Sequence, residues 1–414
     1  MISIYTGVTG LKAHEQAVDV IANNIANINT VGYKAGRANF QEALSQTLRA
    51  ASGAGGGRGT RNPMQLGLGA SIGSIDNLMT QGNLKFTGSN TDVAIQGNGF
   101  FLLSDGTGEY LTRNGSFVLD ANNRLVAAGS GLAVLGWQAD PVTGDVQTQQ
   151  MITPSSYLEV PIGVMSMARA TANVSYQANL DATAAAATAV DTSCYVYDSL
   201  GVQHRVDITF TKTATDNQWT WAASSPDADP AVPGSTGTLI FDENGQITTP
   251  TFDLSVTLLA SGGATSPIDA DLSFAGLTQL AGASTVQAVS QDGLPMGTLQ
   301  SFTIDDRGII TGTFTNGMFR TLGQISLARF ANPAGLTKTG NSLWQASAAS
   351  GPAAIVWPST ADSGSLASGY LEMSNVDLAT EFANLIVTQR GFQANSRVIT
   401  TADEMLQDVL TIKR

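Results

Sequence analysis

Few side chains in this chain of 414 residues are suited to nucleophilic or acid–base chemistry. It contains two histidines, His14 and His204, and one cysteine, Cys194. Nucleophilic catalysis needs a nucleophile beside a base that a third group orients. His204 lies in a predicted strand near Asp198 and Asp207. The sequence leaves a Cys–His or Ser–His–Asp arrangement open, but it offers few bases to build one.

Short motifs that resemble catalytic or ligand-binding motifs lack the required context. "GASIG" (69–73) matches G-x-S-x-G, which needs a strand before it and a helix after it, whereas strand and turn residues follow here. "FDENGQ" (241–246) begins like a calcium loop but has no closing glutamate. "GAGGGRGT" (53–60) lacks the Lys-Ser/Thr of a phosphate-binding loop, and no Cys/His cluster has metal spacing. We predict no enzyme, no catalytic residue, no metal site and no cofactor.

Charged residues are scarce and predominantly acidic. They make up 13% of the chain, against about a quarter in typical soluble proteins. The net charge of −13 argues against binding to nucleic acid through its phosphates. Residues 151–289 hold 13 acidic and 3 basic side chains, which predicts a solvated outer domain.

The sequence also limits how the chain is held together and where it resides. A single cysteine cannot form an intramolecular disulfide, so packing or assembly must stabilise the protein. No segment reaches the roughly 18 consecutive apolar residues of a membrane span. The first residues lack the features of a Sec signal. We therefore expect a cytoplasmic protein, or one exported without a cleaved signal.

Apolar residues recur every seven positions at both ends, which predicts two helices that form a coiled-coil seam. The N-terminal helix should end near Asn29, with Gly32 in a left-handed turn. The C-terminal helix should begin with Ser374 and Asp377 as a capping pair and run for about 40 residues. The predicted seam consists of Ile4, Leu11, Val18, Ile21, Ile25, Ile28, Leu378, Leu385, Phe392, Ile399 and Leu406. Leu371 precedes the C-terminal set at the same spacing, and Ala402 and Val409 join a second seam position late in that helix.

Asparagines flank this seam in "ANNIANINTVGYK" (22–34), where charged residues would normally line a solvated helix face. Amides can bond to another copy without the desolvation cost of an ion. We expect Asn23, Asn24 and Asn27 to face other copies, and Gly32 and Tyr33 to turn the chain outward. The alternative, that the asparagines only terminate the helix, accounts for Asn29 but not for Asn23 and Asn24.

The middle of the chain alternates short strands with hairpin signals such as "GNG", "DGTG" and "NN". The predicted fold is α+β and multidomain, with a coiled-coil inner domain and β-rich middle and outer domains looped out of it. The alternative is that both helices pack on a globular core. The predicted parts are residues 1–30 with 376–414 (inner helices), 31–70 with 359–375 (extended linker), 71–150 with 290–358 (middle) and 151–289 (outer).

Several long segments resemble the axial proteins of the bacterial flagellum, the family of rod, hook and hook-associated proteins. "ANNIANINTVGYK" resembles their N-terminal signature, and residues 374–414 are similar to their C-terminal helix. "TDVAIQGNGFFLL" (91–103) and "LGQISLARFANPAGLTKTGNSLWQAS" (322–347) also fit. "YVYDSLGVQHRVDITFTK" (195–212) resembles the outer domain of the hook members.

The resemblance implies a structural role in a flagellar tube outside the cell. Many identical subunits would pass through the flagellar export channel and add to a hollow, bendable helical polymer, with terminal helices inside and β domains outside. Rod proteins, a hook cap and hook–filament junction proteins would be the partners. The alternatives are a straight distal-rod protein, or a secreted β-rich binding protein or carbohydrate-active enzyme with a coiled-coil stalk.

Overall fold

Two long helices bracket a β-rich chain. The computed structural model describes residues 2–51, 60–140, 143–228, 235–248, 251–257, 263–360 and 363–412. Helix α1 spans Ile2–Ala26 and helix α2 spans Leu378–Ile412, with a short 3-10 helix at Pro333–Gly335. The predicted class, terminal helices around a β-rich middle, is confirmed. Residues 52–59 of the predicted loop at 52–63 lie outside the described residues. So do positions 413 and 414 of the predicted C-terminal helix.

The strands are numbered in chain order. The first fifteen are Gly36–Glu42 (β1), Ser45–Arg49 (β2), Met64–Gly67 (β3), Ala70–Asn77 (β4), Leu84–Phe86 (β5), Val93–Gln96 (β6), Phe100–Ser104 (β7), Glu109–Thr112 (β8), Phe117–Leu119 (β9), Leu125–Ala127 (β10), Ala133–Val134 (β11), Gly136–Gln138 (β12), Ser166–Arg169 (β13), Asn173–Asp181 (β14) and Ala189–Tyr197 (β15). The others are Gln203–Lys212 (β16), Gln218–Ser224 (β17), Thr236–Ile240 (β18), Thr251–Val256 (β19), Ile268–Leu280 (β20), Gln287–Gln291 (β21), Leu294–Ile304 (β22), Ile309–Phe314 (β23), Phe319–Ile325 (β24), Leu327–Arg329 (β25), Thr337–Gly340 (β26), Leu343–Gln345 (β27), Ala354–Val356 (β28), Ser365–Ser368 (β29) and Tyr370–Glu372 (β30).

The chain forms two compact units. The first comprises Met1–Val160, Phe302–Thr311 and Thr321–Arg414, and the second comprises Pro161–Ser301 and Gly312–Arg320. The predicted inner and linker parts fall in the first unit, together with most of the predicted middle part. Residues 290–301 and 312–320 of the predicted middle part fall in the second unit with most of the predicted outer part. The finer four-way division stays a prediction.

The first unit contains the helices and a large sheet. Strands β26, β27, β8, β7, β11, β10 and β9 pair in that order, and β25 joins β7 to β28. Its core packs Phe100 of β7, Trp344 of β27 and Phe330, which follows β25, against Trp137 of the neighbouring strand β12. The two strands before α2 each pair with an earlier strand of the first unit: β29 pairs with β6, and β30 pairs with β5.

The second unit is built from two four-stranded sheets. Strands β19, β20, β14 and β21 form one, with β14 parallel to β20, and strands β15 to β18 form an antiparallel meander. Side chains alternate between buried and exposed along β17, so Trp219 and Trp221 both point into a core that the two sheets share. Cys194 belongs to this core and is only 5% exposed. Burial raises the pKa of its thiol, so the cysteine is a packing residue.

Both predicted helices are present, but the predicted Ser374–Asp377 capping pair is wrong, because Asp377 alone caps α2 and Ser374 lies ahead of the helix, where its hydroxyl accepts the Val376 amide (3.3 Å). Helix α2 spans 35 residues, against a predicted length of about 40. Helix α1 ends at Ala26, and Gly32 has φ +68°, the left-handed turn expected after the helix. Helix α2 begins at Leu378 because the Asp377 carboxylate accepts hydrogen bonds from the Ala379 amide (3.0 Å) and the Thr380 hydroxyl (3.0 Å). These bonds lower the pKa of Asp377. Within the described residues, neither helix is long and apolar enough to cross a membrane.

One turn geometry recurs in four hairpins. In each, the Oδ1 atom of an aspartate accepts the amide N–H groups two and four residues later, and the fourth turn residue has positive φ. This is the side-chain turn that aspartate favours, followed by a glycine or asparagine in the left-handed region. The four aspartates are Asp120, Asp198, Asp242 and Asp305. The calcium-like start "FDENGQ" is one of these turns.

Replacing the turn aspartate should cost more where the turn is buried. Asp198 is only 4% exposed, whereas Asp242 is half-buried. We expect Asp242→Ala to lower the free energy of unfolding by about 1 kcal/mol, and Asp198→Ala by about 2 to 3 kcal/mol, because a buried carboxylate is lost, two amides lose their acceptor and the His204 ring loses a partner at 3.3 Å. Urea titration of both variants measures the difference. Equal losses would contradict this explanation.

Candidate assembly interface

Helices α1 and α2 run antiparallel and approach closely through glycines. A Cβ atom placed on Gly7 would lie 2.9 Å from the Ile399 Cγ1 atom, and one on Gly10 would lie 2.7 Å from the Asn395 Oδ1 atom. A Cβ atom on Gly391 of α2 would lie 2.5 Å from the Cε1 atom of the His14 ring on α1. Larger residues at these positions would force the facing side chains, or the helices themselves, to move.

The predicted seam residues flank this glycine line. Ile21 is the only buried residue of the predicted seam. Four other positions of α1 that are buried carry small residues, namely Gly7, Gly10, Ala13 and Ala17. Seven predicted seam residues are half-buried: Ile4, Leu11, Val18, Ile25, Ile28, Leu385 and Ile399. Three are exposed: Leu378, Phe392 and Leu406. The pairing of α1 with α2 thus leaves much of the predicted seam uncovered, and its role in a coiled coil stays a prediction.

Asn24 has partners within its own chain. Its amide nitrogen donates to the Gly36 carbonyl (2.8 Å) and to Glu381 Oε1 (3.0 Å), and its Oδ1 atom accepts from the Gly36 amide (2.9 Å) and the Tyr33 hydroxyl (3.2 Å). It is only 1% exposed. The expectation that Asn24 faces other copies is therefore corrected: it joins α1 to the start of β1 and to α2.

Asn23 and Asn27 lie on the more accessible side of the same turn. The Asn27 amide donates to the Asn23 carbonyl (2.9 Å) and to Asn23 Oδ1 (2.7 Å). Asn27 Oδ1 accepts from the Thr30 hydroxyl (3.0 Å), and Asn23 Oδ1 also accepts from the Tyr33 hydroxyl (3.3 Å). Asn23 is exposed and Asn27 half-buried, so their predicted contact with other copies stays a prediction.

Gly32 brings the chain against two other segments. Its amide donates to the carbonyl of Glu372 on β30 (2.8 Å). A Cβ atom on Gly32 would lie 2.6 Å from the Asn114 amide nitrogen, and its φ is positive. Glycine is required here both for the turn and for the close approach.

A buried ion cluster stands directly beside this turn. Glu372 is fully buried, with one carboxylate oxygen 2.6 Å from Lys34 Nζ and the other 3.3 Å from Arg113 Nη1. Glu372 Oε1 also accepts the Gly82 amide (2.9 Å). Lys34 donates to the Thr80 carbonyl (2.8 Å). One carboxylate therefore connects four segments that are distant in sequence.

The two basic groups of this cluster have lowered pKa values. Loss of water is the largest effect on Lys34 and Arg113 and lowers the pKa of each, while Glu372 acts in the opposite direction on both. Arg113 also donates to the Gly97 carbonyl (2.8 Å), but its buried Nε has no partner among the described residues. Sequence analysis missed the cluster. Its only signal was Lys34, the first charge after the uncharged stretch from Val20 to Tyr33.

Large apolar side chains remain exposed on α2. Near its start, Leu378, Phe382 and Ile386 recur every four residues and therefore share one face. Phe382 and Ile386 are 50% and 52% exposed. The exposed residues nearer its end are Phe392, Val398, Met405, Leu406, Val409 and Leu410. The described residues leave this apolar surface uncovered, which is typical of an interaction surface.

The catalytic candidates occupy structural positions. Ser71 of "GASIG" lies within strand β4 opposite Gln41, so it is not on the strand-to-helix turn that a nucleophile needs. His204 lies between Asp198 (3.3 Å) and Asp227 (3.1 Å). The described residues contain no cluster of three His, Cys, Asp or Glu side chains placed to hold a metal.

Removing the carboxylate of Glu372 should destabilise the first unit more than removing the Lys34 charge. Glu372→Gln leaves two buried cations without a counter-charge, whereas Lys34→Met leaves the Arg113 pair intact. Breaking a buried pair costs about 3 to 5 kcal/mol. We expect Glu372→Gln to reach this range and Lys34→Met to cost less, as measured by urea unfolding.

The exposed ion pair between Arg124 and Glu159 provides the control, because Arg124→Gln should change the unfolding free energy by only about 1 kcal/mol or less. If Glu372→Gln behaves like this control, the cluster does not stabilise the fold.

Family models match most of the chain, each in a separate segment. Residues 4–34 match "Flagella basal body rod protein" and residues 367–412 match "Flagellar basal body rod FlgEFG protein C-terminal". Residues 94–167 match "Flagellar hook protein FlgE/F/G D1 domain", and residues 168–294 match "Flagellar basal body protein FlaE D2 domain". The two terminal matches include the Gly32 turn, Lys34 and Glu372.

Similar proteins align over essentially the full length. The flagellar hook protein FlgE of Treponema pallidum is 37% identical over 480 aligned residues, covering 100% of both chains. That of Borreliella burgdorferi is 36% identical with the same coverage, and that of Escherichia coli is 34% identical over 98% of both chains. The chain belongs to the flagellar hook protein FlgE family.

Proposed function

We propose that this protein is a structural subunit of the bacterial flagellar hook. Many identical copies form a hollow, bendable helical tube that acts as a universal joint between rod and filament. The observation that carries the proposal is the large apolar surface of α2, which the described residues leave uncovered. In a family of flagellar structural proteins, other copies of the chain are the natural cover for it, and no enzymatic activity is proposed.

The terminal helices are proposed to form the inner wall as a coiled coil between copies. A contact between two different surfaces of identical subunits does not close on itself and generates a helical filament. The half-buried and exposed seam positions, such as Leu11, Val18, Leu385 and Phe392, are proposed to complete this packing. Asn23 and Asn27 would add amide hydrogen bonds at its edge.

The second unit is proposed to supply the outer surface, where contacts must change as the hook bends. Its strands expose many Thr, Ser and Ala side chains, for example Ser193, Thr220 and Ala222. Contacts between uncharged polar surfaces can slide without breaking ion pairs. The proposed partners are rod proteins, the hook cap and hook–filament junction proteins. The proposed location is the extracellular hook, reached through the flagellar export channel without a cleaved signal.

A distal-rod subunit is the second candidate, because the models matched by both chain ends are named for basal body rod proteins. The full-length similarity to hook proteins favours the hook. Electron microscopy of polymers assembled from the purified chain separates the two. A curved tube supports the hook, and a straight, rigid tube supports the rod.

Polar substitution on the exposed face of α2 should block polymerisation and leave the monomer folded. We expect Phe382→Asp or Ile386→Asp to raise the critical concentration at least tenfold, which corresponds to about 1.4 kcal/mol per contact. Sedimentation of assembled material measures this concentration, and circular dichroism checks the fold. Val289→Asp is the matched control, because Val289 is 52% exposed on a strand of the second unit.

An unchanged critical concentration for the α2 variants would contradict the proposed packing. A purified chain that remains monomeric under all polymerising conditions, or that shows hydrolase activity in a broad substrate screen, would contradict the proposed function itself.

A further inference from the structure

A cleft at one end of the helix pair has no assigned role. It has a volume of about 390 Å³ and is lined by the end of α1, the Gly32 turn and the β26–β27 hairpin, all within the first unit. The lining includes Asn23, Asn27, Tyr33, Lys338 and Trp344, and no acidic residue. It is therefore a cationic, amide-lined cleft in a chain whose net charge is −13.

Lys338 is the charged group of this cleft. Its ammonium nitrogen lies 5.0 Å from the centre of the Tyr33 ring and 5.1 Å from that of Trp344, and it donates to the Lys34 carbonyl at 3.3 Å. Although the side chain as a whole is exposed, partial burial lowers the pKa of Lys338. It forms no ion pair with any described residue. The two rings hold the ammonium in place, which prepares it to bind an anion.

The neutral groups around Lys338 favour a carboxylate as the ligand. Carboxylates accept hydrogen bonds from ammonium and amide N–H groups, and such charge-assisted bonds are stronger than neutral ones. Asn23, Asn27 and Asn341 provide amides around the cleft. Lys34 also lines the cleft, but its ammonium is already paired with Glu372.

Unpaired carboxylates lie at the opposite end of the helix pair. Gly7 faces Ile399, and α1 begins only five residues before Gly7, so the last turns of α2 extend beyond α1. Glu404 and Asp408 lie in this overhang and form no ion pair with a described residue. Asp403, just before them, accepts a hydrogen bond from the Gln407 side chain (3.1 Å) but likewise forms no ion pair with a described residue. The apolar residues of the overhang are also uncovered: Val409 is 63% exposed and Leu410 70% exposed.

We propose that the overhanging end of α2 in one copy docks at the Lys338 cleft of a second copy. The inference rests on the proposed polymer and adds a head-to-tail contact to it. Charge complementarity supports this occupant, because the cleft offers a cation without an ion pair and the described part of the overhang carries carboxylates that form none. Since the cleft and the overhang stand at opposite ends of the helix pair, each copy can bind one neighbour at each end, which propagates a filament.

Charge reversal and rescue provide the test. Lys338→Glu should raise the critical concentration for polymerisation at least tenfold, and one of Asp403→Lys, Glu404→Lys or Asp408→Lys should restore assembly when combined with it. Lys338→Met keeps the apolar stem between the rings and removes the charge. This variant should also assemble less well and should lose part of the salt dependence seen in the wild type.

Lys85→Glu, which reverses an exposed lysine on β5, is the matched control and should assemble normally. If circular dichroism shows that Lys338→Glu is unfolded, Lys338→Met decides the question. Wild-type assembly by the Lys338 variants, or failure of all three lysine substitutions to rescue, would overturn the contact. The second of these results would mean that the cleft binds another segment or another protein. A wild-type chain that forms no polymer contradicts the proposed function itself.

Discussion

The carboxylate of Glu372 accepts from Lys34, Arg113 and the Gly82 amide while fully buried, and its own carbonyl accepts from Gly32. These contacts bring together four segments: the turn after α1, the residues just before β5, the residue that follows β8 and strand β30, which leads into α2. A buried carboxylate is costly unless it is fully paired, so the segments must arrive together. Both helices are attached close to these contacts, because α1 ends six residues before Gly32 and α2 begins six residues after Glu372.

The Glu372 cluster attaches the ends of both helices to the β segments, while apolar side chains along α2 remain exposed. Within the pair, glycines at positions 7, 10 and 391 bring the backbones close, and the side chains that would normally fill a seam point elsewhere. A helix pair this long, with apolar residues along α2 exposed, is poorly suited to a solitary protein and well suited to a polymer. The low charge content of the chain fits the same purpose, because burying an ion between copies is costly.

Local signals were enough to predict the elements, and long-range pairing was not predictable. Heptad spacing indicated both helices, Gly32 marked the turn, and alternating residues marked the strands. The glycine line was missed because glycine carries no hydrophobic signal, and the seam was assigned to larger residues such as Val18 and Phe392. Glu372 is separated by 338 positions from Lys34 and by 259 positions from Arg113, and no local pattern encodes such a pairing. Asn24 was assigned to other copies because its partner Glu381 lies on the distant helix.

The central claim is that the Glu372 junction is complete in each subunit and that assembly uses the surfaces it leaves exposed. An electron-microscopy map of the assembled polymer at side-chain resolution tests this most directly. The account predicts that Glu372 keeps both Lys34 and Arg113 of its own chain, while Phe382 and Ile386 become buried against neighbouring copies. A map in which Glu372 pairs across subunits, or in which the α2 face remains exposed to solvent, would contradict it.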